Sequence, residues 1–431
     1  MAKNILISQS KENVGSIVAI SGWLFNKRSS GGLLFLHVRD GSGFLQATAV
    51  KGETPSKVFD LAQSLTLESS IKLIGKLREE PRAPGGFEIT LEDLEVFQKV
   101  KEEFPIGKKE HGPDFLLSNR HLWIRSKRQW AILRIRNMIM NAVNDFLQQE
   151  KFTRFDAPII TPSACEGTTT LFEIDYFGDK AYLTQSGQLY LEAAIASLGR
   201  VYDFGPIMRA EKSKTRRHLI EFWMMDAEAA FVDFSQNLDI QEALIKFVVA
   251  EILKKGASDL AIIERDTKLL EALVTKPFVR MSYKEALGEL KNLGSDIKEG
   301  EDFGNDDETL LMTKYKLPVF VTHFPAAFKA FYFKRSDEAH VLAADLLAPE
   351  GYGEIIGGGE RESDYKTLLA RIKKEGYNVS DYDWYLDLRK YGSVPHSGFG
   401  LGLERLVAWI CKLEHVRETI PFPRLLERFK P

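Results

Sequence analysis

Hydrophobic and polar positions alternate over short stretches in the first hundred residues, which is the pattern of half-buried strands. A helical stretch around Ser56–Ser64 separates the third strand-like run from the fourth. The five runs are IVAISGWLF, GLLFLHVRD, GFLQATAV, SIKLIGKL and FEITLEDLEVF. Five strands with one helix between the third and fourth are the layout of an OB-fold barrel, which we predict for residues 1–103. Another small barrel or sandwich would give a similar pattern.

Apolar residues recur at helical spacing from Lys127 to Glu150, which predicts a long amphipathic helix. These residues are Ile132, Ile135, Ile139, Val143, Phe146 and Leu147. The next run, FTRFDAPIITPS, looks like a strand but contains Pro158, and a proline in a strand belongs at an edge or a boundary. An edge strand exposes unpaired backbone groups that a second subunit can cover.

The remainder of the chain alternates apolar strands with glycine turns and two helical stretches, at roughly 236–255 and 363–376. This pattern predicts an α+β domain over residues 127–431, dominated by an antiparallel sheet. The two domains would be joined by a basic hinge, residues 104–126. Residues 105–136 carry eight cations against Glu110 and Asp114. A solvated linker is the simpler explanation of this charge, and a phosphate-contacting surface is the functional one.

The composition excludes several classes of protein. The 431 residues carry a formal net charge of −3, so no overall positive field attracts nucleic acid, and any such contact must be local. Two cysteines in so long a chain are not a disulfide framework, which favours a reducing cytoplasm. The first residues show no signal peptide, and no apolar segment is long enough to span a bilayer.

The densest cluster of charge lies in residues 204–228, FGPIMRAEKSKTRRHLIEFWMMDAE. Its ends look like strands, and its middle looks like a long polar hairpin loop. Five cations fall within nine residues: Arg209, Lys212, Lys214, Arg216 and Arg217. A solvated hairpin tip would explain the loop, but Arg209 lies in a strand among apolar residues and needs an anionic partner there. Arginine suits phosphate oxygens, and Phe222 offers a flat face on which a base could stack.

The segment HSGFGLGLERLVAWI, residues 396–410, is a glycine-containing strand that leads into an amphipathic helix with Arg405 in its first turn. It is not a dinucleotide-binding fingerprint, because the third glycine that this motif needs is missing. Nor is it a P-loop, because no Gly-Lys-Ser/Thr follows. Its glycines, Gly402 among them, allow a flat group to approach the backbone.

Two acidic residues, Asp345 and Glu354, occur in an otherwise apolar strand pair within residues 343–362. Backbone groups could satisfy both carboxylates. If the carboxylates face a cluster of phosphate-binding arginines, however, Mg²⁺ held by one or two of them and by substrate phosphates would balance the charge. Arg361 follows three glycines and is a further candidate to bind an anion.

These segments together resemble the class II aminoacyl-tRNA synthetases of subclass b over essentially the whole chain. RFDAPIITPS is similar to the first class motif, FGPIMRAEKSKTRRHLIEFWMMDAE to the second and GFGLGLERL to the third. Within the subclass, KSKTRRHLIEFW, KYGSVPHSGFGLGLERLVAWI and HVRETIPFPR resemble the asparagine-specific members. The resemblance implies ATP-dependent attachment of asparagine to tRNA(Asn) through an asparaginyl-adenylate. It also implies a homodimer formed through the first motif, with a six-stranded antiparallel sheet in the catalytic domain.

The resemblance implies that ATP binds in a bent conformation, and it implies roles for individual residues around it. Arg209 contacts the α-phosphate, Glu211 reads the adenine amino group and Arg217 contacts the γ-phosphate. The other implied ATP-binding residues are His218 and Leu219 along the nucleotide, Phe222 and Arg405 on either side of the adenine, and Gly402 and Glu354. Glu354 and Asp345 are the implied Mg²⁺ ligands. Some aspartate-specific enzymes have a serine ligand where this chain has Gly357.

The residue at position 191 distinguishes asparagine-specific from aspartate-specific enzymes in this resemblance, and this chain has Leu191 there. Aspartate-specific enzymes carry a lysine at this position, and losing that cation removes the reason to bind aspartate. The implied amino-acid site consists of Glu166, Ser186, Gln188, Leu191, Asp226 and Arg361. Asparagine-specific enzymes usually have glutamate at the position of Asp226, so the acceptor for the amide is one methylene shorter here.

Three residues of the first domain match positions that bind the anticodon: Arg28, Phe35 and Gln46. Phe35 would stack on a base, although a core aromatic is the other interpretation. An aspartate-specific or relaxed enzyme is the alternative activity. A paralogue without catalysis is disfavoured because the phosphate-contacting groups are present, and a relative of asparagine synthetase is disfavoured by the OB-like domain.

Overall fold

The computed structural model describes residues 2–107, 109–165 and 171–431. It divides into two compact units, Met1–His111 and Gly112–Pro431. The second half of the predicted hinge therefore belongs to the second unit. There, buried Arg120 donates to the backbone oxygens of Pro421 and Ile420, each at 2.8 Å. Lys108, one of the eight cations, lies outside the described residues.

The first unit is a closed barrel. Its strands are β1 (Lys3–Asn4), β2 (Ile17–Ser30), β3 (Leu33–Arg39), β4 (Phe44–Val50), β5 (Ser70–Glu79) and β6 (Phe87–Gln98), with helix α1 (Ser56–Ser64) between β4 and β5. The strand order is β1-β2-β3-β4-β6-β5, and β2 also pairs with β5, which closes the ring. The predicted five-stranded barrel with one helix is confirmed, and alternating residues such as Leu34 and Leu36 fill its core.

The second unit contains these strands: β7 (Thr153–Arg154), β8 (Ile160–Thr161), β9 (Glu173–Tyr176), β10 (Asp179–Leu183), β11 (Arg200–Met208), β12 (Glu221–Ala230), β13 (Val279–Ser282), β14 (Val319–Thr322), β15 (Ala343–Ala348), β16 (Gly353–Glu360) and β17 (His396–Gly402). Its helices are α2 (Pro113–Ser118), α3 (Arg120–Trp123), α4 (Lys127–Gln149), α5 (Gln188–Leu198), α6 (Phe234–Lys255), α7 (Ala257–Ile262), α8 (Lys268–Thr275), α9 (Tyr283–Asn292), α10 (Asn305–Leu311), α11 (Tyr365–Lys374), α12 (Asp383–Lys390) and α13 (Leu403–Cys411).

Eight strands of the described chain form the central sheet, in the order β13-β14-β15-β16-β17-β12-β11-β7. The six strands from β14 to β11 pair antiparallel, as the resemblance implied. A short parallel strand is added at each edge, β13 on β14 and β7 on β11. The expected six-stranded sheet is therefore the centre of a larger mixed one.

Two predictions from the pattern differ from the structure. The run FTRFDAPIITPS is not a continuous strand, because only its short segments β7 and β8 pair with other strands. Pro158 lies between them and has no backbone N–H to donate to a neighbouring strand. The helices predicted near 236–255 and 363–376 are α6 and α11, but α12 was missed. Four further short helices, α7 to α10, follow α6 along the chain.

The central sheet has one apolar face and one face with exposed backbone. Phe399 and Leu401 on β17 and Ala227 on β12 belong to a large core cluster formed with α4, α6 and α13. On the opposite face, Asp226 pairs in register with Gly400, which pairs with Gly357, which pairs with Asp345.

A second row of this face runs from Glu228 through Gly398 to Gly359. A Cβ atom at Gly400 would lie 2.7 Å from Asp226 Oδ1, and a Cβ atom at Gly398 would collide with the carboxylate of Glu228. Glycine at these positions therefore leaves a shallow backbone floor with carboxylates beside it.

No helix in the described part of the chain is both long and apolar enough to cross a membrane.

Gly358 on β16 packs against β17 without room for a side chain, and we predict that Gly358→Ala destabilises the fold. The new Cβ would lie 2.5 Å from both Gly398 O and Phe399 Cβ, so the strands must separate. We expect a loss of about 1–3 kcal/mol in the free energy of unfolding, measured by urea denaturation. Gly288→Ala is the control. Gly288 is exposed in α9 with open space around it, and its replacement by alanine should raise the free energy of unfolding by about 0.5–1 kcal/mol. Equal effects of the two changes would contradict the crowding argument.

Candidate active site

A cavity of about 610 Å³ opens on the glycine-floored face of the central sheet. It brings together most of the residues that the sequence singled out. Those that line it are Ser186, Gln188, Arg209, Glu211, Arg217, His218, Leu219, Phe222, Asp226, Asp345, Glu354, Arg361, Gly402 and Arg405. Glu166 lies outside the described residues, and Leu191 does not line the cavity.

Arg209 and Phe222 meet where β11 and β12 join the polar loop. Arg209 is the first residue after β11 rather than a residue within it, although its amide still donates to the carbonyl of Ile220 at 3.0 Å. The Arg209 guanidinium carbon lies 5.7 Å from the centre of the Phe222 ring. Arg405, at the start of α13, donates instead to the backbone oxygen and to Oε2 of Glu354, at 2.8 and 3.1 Å.

The polar loop is held by contacts between its own side chains. His218 Nε2 lies 3.1 Å from Glu211 Oε2, and His218 Nδ1 lies 2.5 Å from the hydroxyl of Thr215. The hydrogen bond from His218 holds the pKa of Glu211 below its ordinary value, so this carboxylate is an acceptor at neutral pH. Leu219 is buried in the core cluster beside it.

Arg217 lines the cavity but is largely enclosed by protein, and only 6% of its side chain is exposed. It forms an ion pair of 2.7 Å with Glu308, a residue of α10 that the sequence did not single out. The two residues are 91 positions apart, so no local spacing could have indicated the pair.

Asp345 and Glu354 lie on adjacent strands around Gly357. A Cβ atom on Gly357 would lie 2.7 Å from Glu354 Oε1 and 3.6 Å from Asp345 Oδ1, so both carboxylates face the space above this glycine. Asp345 also pairs with Lys329 at 2.6 Å, and Lys329 was missed by sequence reasoning. Burial raises the pKa of Asp345 to about 7, against the effect of the nearby ammonium group.

The donor set at this place fits a divalent cation that also binds substrate phosphate. Carboxylate oxygens are the ligands that Mg²⁺ prefers, and it takes one or two of them together with phosphates. Within the described residues no group of three or more acidic, histidine or cysteine side chains could hold a metal alone. The pair Asp345 and Glu354 therefore fits a metal that arrives with a phosphate ligand, and not a permanent protein-only site.

The other end of the cavity is built from hydrogen-bonded carboxylates. Asp226 Oδ2 accepts from Ser186 Oγ and from the amide of Gly187, both at 2.8 Å. Arg361 forms a two-point ion pair with Glu228, with Nε and Nη2 at 3.0 and 2.5 Å from Oε1. Burial raises the pKa of Glu228 to about 7, although Arg361 opposes this. Both partners are almost fully buried, so the pair is held rigidly.

Leu191, which the resemblance places in the amino-acid site, is not among the described residues that line the cavity. Its side chain is fully buried and packs with Ala194, Ile195 and Val201 in a small apolar cluster, behind the cavity wall. Helix α5 directs Gln188 to the cavity and Leu191 toward β11. Leu191 is therefore an apolar residue outside the cavity lining, and it makes no pocket surface here.

Sequence reasoning also missed a buried carboxylate behind Gln188. Glu192 Oε1 accepts from the Gln188 side-chain amide at 3.0 Å, and Glu192 Oε2 is bonded to Arg389 and His396 at 2.5 and 3.0 Å. Glu192 is one helical turn after Gln188, and this i,i+4 spacing was a signal that could have found it. The Gln188 amide is thereby held with its nitrogen toward Glu192.

In the barrel, Arg28, Phe35 and Gln46 lie on adjacent strands. Arg28 and Phe35 are register partners, with the guanidinium carbon 5.9 Å from the ring centre. Phe35 alternates with core residues on β3 and is not in the barrel core, so the core-aromatic interpretation is wrong. Gln46 is buried. Its side-chain Nε2 donates to Glu88 Oε2 at 2.5 Å, and its Oε1 lies 3.0 Å from His37 Nε2.

Comparison with known families agrees with this geometry. A family model described as tRNA synthetases class II (D, K and N) matches residues 112–426, and an OB-fold nucleic acid binding domain matches residues 18–97. An asparagine–tRNA ligase of Desulforamulus reducens is 55% identical over 428 residues, covering 99% of each chain. An asparagine–tRNA ligase of Pelotomaculum thermopropionicum is 55% identical over 431 residues, covering all of both chains.

A solved structure shows the same likeness in three dimensions. The asparaginyl-tRNA synthetase of Pyrococcus horikoshii, complexed with asparaginyl-adenylate, superposes with a TM-score of 0.95 at 42% identity and covers 100% of both chains. The OB-fold and the class II catalytic fold expected from the sequence are thus confirmed. The chain belongs to the class II tRNA synthetases of the D, K and N family and, within it, to the asparagine–tRNA ligases.

Proposed function

We propose that this chain attaches L-asparagine to tRNA(Asn) in an ATP-dependent reaction that passes through asparaginyl-adenylate. The observation that carries the proposal is that one continuous cavity contains two sets of side chains with different chemistry, one at each end. One end holds three arginines, Arg209, Arg217 and Arg405, around an aromatic ring and a pair of carboxylates. The other end holds Asp226 and Arg361, an acceptor and a donor suited to a carboxamide.

In the first step the α-carboxylate of asparagine attacks the α-phosphorus of ATP, and the bond to the β-phosphate oxygen breaks to release pyrophosphate. The carboxylate is already ionised at pH 7, so no side chain has to remove a proton. We assign Arg209 to the α-phosphate, where its fork neutralises charge that develops on the oxygens. Phe222 and Arg405 bind the adenine between them, and Glu211 accepts from the adenine amino group.

Glu354 and Asp345 would hold Mg²⁺, which when bound supplies positive charge to the phosphates. Although burial works to raise it, the pKa of Glu354 is lowered by the cations around it, Arg405 first, so that this ligand is ionised. In the second step the ribose hydroxyl at the 3′ end of the tRNA attacks the carbonyl carbon of the adenylate. The bond from this carbon to the phosphate oxygen breaks, AMP leaves, and the hydroxyl proton passes to solvent.

We propose that Arg361 donates to the amide oxygen of asparagine and that Asp226 accepts from its amide nitrogen. Glu228 holds Arg361 in place, and Ser186 and the Gly187 amide hold Asp226. The side-chain amide nitrogen of Gln188 donates to Glu192. The side-chain oxygen of Gln188 would accept from the α-ammonium of asparagine, together with Ser186 and Glu166. A second carboxylate, as in aspartate, would approach Asp226 without a new cation, which is unfavourable in a buried site.

For the first unit we propose anticodon binding through Arg28, Phe35 and Gln46, with a base stacked on the Phe35 ring. We further propose a homodimer formed through the first motif, where Ile159 and Ile160 are each 44% exposed. Both cysteines are buried, and two cysteines in so long a chain agree with a reducing compartment, so we assign the reaction to the cytoplasm.

The proposed activity is tested by ATP–pyrophosphate exchange with asparagine and aspartate side by side. We expect asparagine to support exchange with a kcat/KM at least about 100-fold above that for aspartate, because an unpaired buried charge costs several kcal/mol. Equal exchange with the two amino acids would show a relaxed enzyme. No exchange with either would contradict the proposal.

Asp226→Asn should raise the KM for asparagine about tenfold or more in the exchange assay, because an acceptor in the pocket becomes a donor. The KM for ATP should stay unchanged. Leu191→Met is the matched control, since a buried swap of similar volume behind the wall should leave the KM for asparagine within about twofold. If Leu191→Met had the larger effect, Leu191 would belong to the site after all.

Phe35→Ala should reduce kcat/KM for tRNA charging about tenfold, because stacking of one base on an aromatic ring contributes about 1–3 kcal/mol. Exchange with asparagine needs no tRNA and should not change. Phe97→Ala, which removes an aromatic ring 56% exposed elsewhere on the barrel, is the control and should leave charging intact. A similar loss in both variants would argue against a specific stacking site.

A further inference from the structure

The side chain of Arg217 is surrounded by acceptors that belong to the protein itself. Its Nη1 donates to Glu308 Oε2 at 2.7 Å and to Asn305 Oδ1 at 3.1 Å. Its Nη2 donates to Thr309 Oγ1 at 2.5 Å and to the carbonyl of Gly351 at 2.7 Å. A guanidinium group has five N–H donors, four of them on the two terminal nitrogens. All four terminal donors therefore have partners in this structure.

Two elements close around this arginine. Asn305, Glu308 and Thr309 lie on one face of α10, and the carbonyl of Gly351 comes from the turn between β15 and β16. A Cβ atom on Gly353 would collide with both Glu308 and Arg217, so the ion pair lies directly on the backbone of this turn. Glu308 also accepts from the amide of Glu354, at 3.3 Å.

An anionic ligand cannot bind the terminal nitrogens of Arg217 while this arrangement persists. A phosphate oxygen at hydrogen-bonding distance from Nη1 or Nη2 must replace one of the four acceptors. Glu308 is the one anion among them, and a phosphate next to its carboxylate would bring two negative charges together in a site where Glu308 is 14% exposed. Glu308 is therefore the partner that a phosphate would displace.

We propose that Glu308 competes with the terminal phosphate of ATP for Arg217. Without nucleotide its carboxylate holds the place of that phosphate, and when ATP binds, the phosphate takes over Arg217 while α10 moves away with Glu308. This inference rests on the proposed function, in which Arg217 binds the triphosphate. It gives α10 a role in nucleotide binding beyond packing.

The proposal makes ATP and AMP respond differently to a change at position 308. Breaking the Arg217–Glu308 pair is part of binding a triphosphate, but AMP lacks the β- and γ-phosphates and leaves the pair intact. Glu308→Gln keeps the size and an acceptor oxygen and removes the charge. We expect it to bind ATP about fivefold or more tightly than the parent chain, in the range of ordinary coupling energies, with unchanged affinity for AMP.

The measurement is isothermal titration calorimetry of the full chain with ATP and with AMP, in buffer with magnesium and without asparagine. Glu350→Gln is the matched control: it breaks the buried pair of Glu350 with Arg265, at 2.6 Å, on the same turn. We expect that variant to leave ATP affinity unchanged. Equal tightening by both variants would mean that loosening the turn is the cause, and the proposal would be wrong.

Weaker or unchanged ATP binding by Glu308→Gln would also overturn the proposal, because Glu308 would then position Arg217 or the metal rather than compete. Hydrogen exchange of the parent chain gives an answer that needs no variant. Amides of residues 305–311 should exchange faster with ATP than with AMP, and equal rates would contradict the displacement of α10.

These outcomes separate the inference from the proposed function. If the parent chain supports asparagine-dependent exchange but Glu308→Gln binds ATP no more tightly, the competition alone is wrong. If Glu308→Gln tightens ATP binding while asparagine supports no exchange, the competition stands and the proposed amino-acid activity fails.

Discussion

Buried carboxylates on β12 can lie across the central sheet only because the neighbouring strands carry glycine in the same register. Glu228 lies over Gly398, and Asp226 lies beside Gly400, where any Cβ atom would collide with or crowd the carboxylate. The same register places Gly357 next in the row and Asp345 beyond it. The glycines thus create the cavity floor and also determine where its negative charges stand.

These charges explain how the cavity keeps its cations in place. Each of four cations around it forms an ion pair with a carboxylate: Arg361 with Glu228, Arg217 with Glu308, Arg405 with Glu354 and Lys329 with Asp345. An isolated charge in such a site is costly, so paired groups are the stable arrangement. Binding of an anionic substrate is then largely an exchange of partners around groups that are already oriented.

The end of the cavity that we assign to the amino acid also holds its cation in an ion pair, but it suits an uncharged side chain. There the Arg361–Glu228 pair is almost completely buried, and Asp226 adds a further acceptor held by Ser186 and Gly187. The cation at this end, Arg361, already has a carboxylate partner. A neutral carboxamide suits it, and in our proposal selectivity comes from hydrogen bonding to these groups rather than from the apolar side chain of Leu191.

The sequence by itself determined the elements whose pattern is local. Alternation predicted the strands of the barrel, and helical spacing predicted α4, because burial of one face is recorded in neighbouring residues. The motifs also identified which side chains would meet in one cavity. Tertiary structure alone decided which partner each charge has, as for Arg217 and Glu308, which are 91 positions apart. It also turned Leu191 away from the cavity and broke the strand at Pro158, since periodicity shows that a residue is buried but not what it is buried against.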